Sequence, residues 1–157
     1  MSEIPSIEVL EQQEQSLRLA HFDHRAAWFI GNLLYERANA EALPIAIEVY
    51  AWGQPLFLVA LPGSSNENLE WIARKRHTVL RNAHASLLTG ERYKAQGITM
   101  EDLPYLDPQI YTDSGGCFPL LTPGGAVFGA VTVSGLASHD DHALAVWAIE
   151  QYLASEK

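Results

Sequence analysis

An α+β fold, an antiparallel sheet of two hairpins with helices packed on it, is predicted by three features of the chain. Two pairs of short apolar runs flank glycine turns: PIAIEVYAW and QPLFLVAL around Gly53, then CFPLLT and AVFGAVTVS around Pro123-Gly124-Gly125. Runs joined so tightly read as hairpins, because parallel strands need a long crossover between them. Helical periodicity fills the chain before, between and after the two pairs. There is also no Gly-x-Gly-x-x-Gly turn and no Walker loop, which sets doubly wound nucleotide folds aside.

The elements follow in order. Residues 7–16 read as a short amphipathic helix, and Leu17 to Phe22 as a brief extended segment. Asp23 suits the N-cap of a helix reaching about Ala42, with Ala27, Ile30, Leu33, Leu34 and Ala38 on its apolar face. In the first strand Ile45, Ile47 and Val49 alternate with Glu48, Tyr50 and Trp52, the pattern of a half-buried strand. A basic helix runs from near Glu67 to about Asn82, and another covers roughly 87–96 before Gly97. Residues 98–114, with their acidic residues and prolines, read as a surface excursion. The last helix opens Ser138-His139-Asp140-Asp141, a Ser-x-x-Asp spacing that predicts a capping box.

A chain of 157 residues fits one domain, 1–157, able to bury roughly two-thirds of its unfolded surface. With 48% hydrophobic and 18% charged residues it is not a disordered chain. One cysteine, Cys117, excludes an internal disulfide. The acidic start and the lack of a long apolar run predict a cytoplasmic protein without a membrane segment. A net charge of −9 argues against nucleic acid and anionic membranes as partners. Yet Arg74, Lys75, Arg76 and Arg81 cluster on one helix, which suits a small anion better than a polyanion.

Four segments carry a family resemblance: Glu70-Trp71-Ile72-Ala73-Arg74-Lys75, His84-Ala85-Ser86, Gly115-Gly116-Cys117-Phe118-Pro119, and Val131 to Leu136 followed by Asp141-His142. Together they resemble the short single-domain branch of the haem-degrading domain superfamily (GlcG/HbpS-like). The resemblance runs from Phe22-Asp23 to the last helix. It implies a profilin-like sheet with packed helices, assembly into a homo-oligomer, and relatives that bind haem or cobalamin-related partners. It implies no settled activity, so haem is a possible cofactor by resemblance alone. Where the family pattern leads to expect a proline, this chain reads Ala137-Ser138-His139, so the resemblance carries no role over to His139.

The candidate ligand-binding residues are Arg74, Lys75, Arg76, His84, Gly115, Gly116, Cys117, Pro119, Ser134, Gly135, Asp141 and His142. Arg76 falls near the centre of the stripe Leu69, Ile72, Ala73, Val79, Leu80 and Ala83. It must therefore meet a core carboxylate or line an anion pocket. Arg74 and Arg81 share another face, either solvated or recognising carboxylate or phosphate. Gly115 and Gly116 form an ordinary turn or bring backbone amides to a ligand. Cys117 reads as a small core residue, with a nucleophile served by His84 as the sharper alternative. His139 and His142 suit helix capping better than a metal site, and His84 is the better candidate for a ligand or haem iron. Two further readings stay open: an enzyme acting on haem or a small organic acid, and an interaction module using Trp28, Trp52, Trp71 and Trp147.

Overall fold

A computed structural model describes residues 3–157. The helices are α1 (Ile7–Ser16), α2 (His24–Ala40), α3 (Asn66–Asn82), α4 (Ser86–Ala95) and α5 (Ser138–Ser155). The strands are β1 (Ala46–Ala51), β2 (Gln54–Ala60), β3 (Cys117–Leu121) and β4 (Val127–Ser134). They form one four-stranded antiparallel sheet in the order β2-β1-β4-β3, so the two hairpins join through their first and last strands. The α+β class and the hairpin pairing expected from the sequence are therefore present.

Local chemistry sets several boundaries. Asp23 accepts from Ala26 N at 2.8 Å and starts α2, as its N-cap position predicts. Trp52 and Gly53 both take positive φ, 52° and 82°, which gives the β1–β2 turn the twist a tight hairpin needs. Helix α3 opens where Ser65 N donates to Asn68 Oδ1 at 2.9 Å and closes at Ala83 in the left-handed region. The 17–22 segment lies along the outer edge of β3, with Leu19 N donating to Leu121 O at 2.8 Å. That edge is covered. The β2 edge is not.

The sheet is covered on both faces. One face carries Ile45, Ile47 and Val49 into the main core with Ile30 and Leu34 of α2 and Ala145 and Ile149 of α5. The other face meets α3, which is why Glu48 is buried rather than solvent-facing as strand alternation suggested.

Three expectations change. Lys75, 3% exposed, occupies the inward face of α3 that the periodicity assigned to Arg76, because Ile72, Lys75, Thr78 and Val79 form the buried stripe. The expected capping box at Ser138 is absent: Ala137 is the N-cap and no side chain caps the helix, since Asp141 bonds elsewhere. The 98–114 segment is no loose excursion. Thr78 Oγ1 donates to Thr112 O at 2.7 Å and accepts from Thr112 N at 3.0 Å, which pins the segment against α3.

Candidate functional site

Helix α3 projects Asn68, Trp71 and Lys75 on one side, a spacing of three and four residues that stacks them along a single face. Opposite them come Ser134, Gly135 and Leu136 from the end of β4, and Ser138 and Asp141 from the start of α5. With Ser114 these line an open cleft of about 250 Å³. Lys75 Nζ donates to Val133 O at 3.0 Å and to Asp141 Oδ2 at 3.2 Å. Asp141 also accepts from Gly135 N at 3.2 Å and Leu136 N at 2.9 Å. The carboxylate thus satisfies the strand-to-helix corner that a capping box would have served, and the amine at once.

Gly116 makes this approach possible. Its φ of 134° is one that side-chain-bearing residues rarely adopt. A Cβ there would lie 2.6 Å from Lys75 Nζ and 2.9 Å from the Asp141 Cβ, and would press on Val133 O. At Gly115 a Cβ would come within 2.7 Å of Ser138 O. The paired glycines therefore serve close packing of β3, β4, α3 and α5 around the pair.

Burial dominates the electrostatics. It lowers the Lys75 pKa from its usual 10.5, with Asp141 opposing that shift. It raises the Asp141 carboxyl from 3.8 to about 6, opposed by Lys75 and the two backbone N–H groups. Both groups are pushed toward their neutral forms, so the pair sits closer to sharing one proton than an exposed ion pair does.

Beyond Trp71 lies an outer cleft of about 600 Å³, bordered by Glu67, Glu70, Arg74, His77 and residues 108–110. The Arg74 guanidinium stands 4.4 Å from the Trp71 ring centre. Arg74 Nε is buried without a hydrogen-bond partner among the described residues. Trp71 separates the two compartments and belongs to both.

The structure divides the expected site residues. Lys75, Ser134, Gly135 and Asp141 line the inner cavity with Gly115 and Gly116 packed behind, and Arg74 stands in the outer cleft. Arg76 points elsewhere: it donates to Glu48 Oε1 at 2.9 Å and lies over the Tyr50 ring. His84 faces α1, with Nδ1 2.7 Å from Glu14 Oε1. His142 is buried beside Phe118, Nε2 2.8 Å from Gln13 Oε1, and burial lowers its pKa to about 4. Cys117 and Pro119 are buried in β3. Burial pushes the Cys117 thiol up to about 12, and its contacts are Thr132 and Ser86 rather than His84. The structure offers no activated thiol there.

Asn68, Trp71, Ser114, Leu136 and Ser138 line the cleft without having been among the candidate residues. Asn68 Nδ2 donates to Ser134 Oγ at 3.3 Å, a contact 66 residues apart that no local pattern announces. A hollow of about 740 Å³ around His21, Arg25, Phe29 and Tyr152 contains none of the expected residues.

A sheet of two hairpins sandwiched by helices, with a polar cleft between α3 and the start of α5, defines a small α+β domain. The family model described as "Haem degrading protein HbpS-like" matches residues 22–150, and the chain belongs to this family. A UPF0303 protein of Streptomyces avermitilis is 46% identical over 149 residues, covering 95% of this chain and 91% of that one. Another from Rhizobium etli is 42% identical over 147 residues, covering 94% and 89%. Among solved structures, the Ybr137w protein matches with a TM-score of 0.85 at 27% identity, covering 94% of this chain and 88% of that one. A PduOC:heme complex matches at 0.68 with 19% identity, covering 82% and 93%, a likeness of fold.

Haem, the group in the family description, requires an axial ligand facing an open slot. His84 and His142 do not fit, because Glu14 holds one ring and Gln13 with Phe118 the other. His77 fits in part. Its Nδ1 lies 3.2 Å from Ile110 O, which fixes the ring at the border of the outer cleft. Glu67 and Glu70 border the same cleft and oppose the propionates of the macrocycle. No group of three or more potential metal ligands occurs among the described residues.

Proposed function

We propose that this chain is a cytoplasmic, homo-oligomeric ligand-binding domain. Its site is the two-compartment cleft along α3, and its ligand is a small molecule bearing a carboxylate. One observation carries the reading: Arg74 stands at the cleft with its Nε buried and unpartnered among the described residues. Its neighbours on α3 are matched, Lys75 by Asp141 and Arg76 by Glu48. A buried donor without a partner is costly, and a ligand carboxylate would relieve that cost while taking the geometry arginine binds best. Self-association is supported by the uncovered β2 edge and by Leu58 and Trp52 beside it, each 52% exposed.

Titration calorimetry with a panel of two- to five-carbon carboxylates tests the site. Arg74→Ala should weaken binding by at least about tenfold, the worth of one charge-assisted hydrogen bond. Arg76→Ala should leave affinity unchanged. If Arg74→Ala binds as the parent does, the site is elsewhere. Sedimentation of the purified chain tests the assembly, which a monomer at micromolar concentration would refute.

Haem is a second reading, supported by the family description and by the fixed ring of His77. His77 would hold iron and Arg74 a propionate in that case. Added haem would then give a Soret band that His77→Ala abolishes and His84→Ala leaves intact.

A further inference from the structure

We propose that Lys75 is a carbonyl-trapping amine: its Nζ forms an imine with the carbonyl carbon of a small oxo acid bound in the inner cavity, with Asp141 as the proton donor and acceptor. The inference rests on reading the α3 cleft as the ligand site.

The geometry carries it. Buried lysine–carboxylate pairs are usually sealed in packing, yet this pair forms part of the wall of an open cleft of about 250 Å³. Besides Trp71, Gly135 and Leu136 the wall holds Ser114, Ser134, Ser138 and Asn68, whose polar groups are of a kind that can orient a carbonyl oxygen. Asp141 Oδ2, 3.2 Å from Nζ, is in reach to move protons on and off the reacting atoms. Gly116 lets the chain pack onto Nζ, which holds the amine in one place instead of on a free stem. The Arg76–Glu48 pair, between the same helix and β1, is not part of that wall. Its guanidinium is also chemically inert toward carbonyls under these conditions.

The step balances without an outside oxidant or reductant. The neutral amine adds its lone pair to the carbonyl carbon, and the C=O π electrons move to oxygen. A proton passes from nitrogen to that oxygen, giving a carbinolamine. The Asp141 carboxylic acid then protonates the hydroxyl, which leaves as water while the nitrogen lone pair closes the C=N bond. The product is an iminium paired with the Asp141 carboxylate. Burial favours the starting forms, since it lowers the pKa of Lys75 and raises that of Asp141 to about 6.

The chain has three lysines, Lys75, Lys94 and Lys157, so the reaction can be mapped residue by residue. Folded full-length protein is incubated with glyoxylate and sodium cyanoborohydride near neutral pH, then digested and analysed by mass spectrometry. Acetaldehyde and urea-unfolded protein run in parallel. Lys75 should label faster than Lys94, because burial lowers its pKa and so raises its neutral amine fraction. Lys94 is the control for access, its side chain being 70% exposed. The preference should vanish in urea. Labelling confined to Lys94 and Lys157, or Lys75 labelling no faster than theirs in the folded protein, overturns the proposal. Preferential labelling by acetaldehyde with no advantage for glyoxylate upholds the trapping amine and removes the carboxylate reading of the cleft.

Discussion

Two neighbouring residues of α3 make the same kind of contact with opposite consequences. Arg76 pairs with Glu48 across the sheet and lies over Tyr50, while Lys75 pairs with Asp141 at the mouth of a cavity. Burial raises the pKa of Glu48 and of Asp141 alike. What separates the pairs is the rest of each carboxylate's shell. Glu48 has the arginine, whereas Asp141 also holds the Gly135 and Leu136 N–H groups. The first pair can be exchanged as a unit, and the second is built into the chain path. A buried charge is therefore better judged by its remaining bonds than by its partner alone.

Breaking the second pair should have the largest effect. Asp141→Ala leaves Lys75 uncompensated and two backbone donors unpaired, and is expected to cost about 3–5 kcal/mol in urea unfolding. A loss below about 1 kcal/mol would show that the corner does not depend on the carboxylate.

Exchanging whole pairs sharpens the contrast. The double variant Arg76→Met with Glu48→Leu should fall within about 1–2 kcal/mol of the parent, since a buried pair replaced by apolar groups is often neutral. Lys75→Met with Asp141→Leu should lose clearly more, because the corner N–H groups stay unpaired. Equal losses would erase the distinction.

Acid titration gives a smaller and signed effect. His142, lowered from 6.5 to about 4, contributes stability that is full above pH 6.5 and lost as pH falls toward 4. Asp141, raised from 3.8 to about 6, acts oppositely: its contribution is full below pH 3.8 and lost as pH rises through 6. Each is worth on the order of 3 kcal/mol at most, so the two largely cancel between pH 4 and 6. Melting curves of His142→Gln should show stability rising relative to the parent as pH falls across that window. A parallel pair of curves would mean that His142 is not held neutral.

Cys117→Ala should matter least. The thiol is fully buried with its pKa pushed up to about 12, so the native protein should resist thiol reagents until unfolded. The substitution should cost about 1–2 kcal/mol and leave carbonyl trapping unchanged.

Much of the fold was legible in the sequence. Asp23 as a cap, the Gly53 turn and the Pro123-Gly124-Gly125 turn are local signals, and local backbone chemistry decides them. The site was half legible. Lys75, Ser134, Gly135 and Asp141 meet as expected, while His84 and His142 face away because α1 supplies Glu14 and Gln13 to them. No spacing in α3 or α5 encodes what α1 will offer.

By itself the sequence determined the element types, the two hairpins and the basic helix, since periodicity, turn residues and charge act over a few positions. Only the tertiary structure decided which cation of that helix is buried most deeply. Arg76 meets a core carboxylate, Glu48, which is one of the two partners its position in the stripe allows, but Lys75 lies deeper still because Ile72, Thr78 and Val79 share the inward face with it. A helix rotates by about 100° per residue, so the angle at which it packs settles whether Lys75 or Arg76 lies deeper. That angle is set by the sheet strands on which α3 packs, far from both residues in sequence.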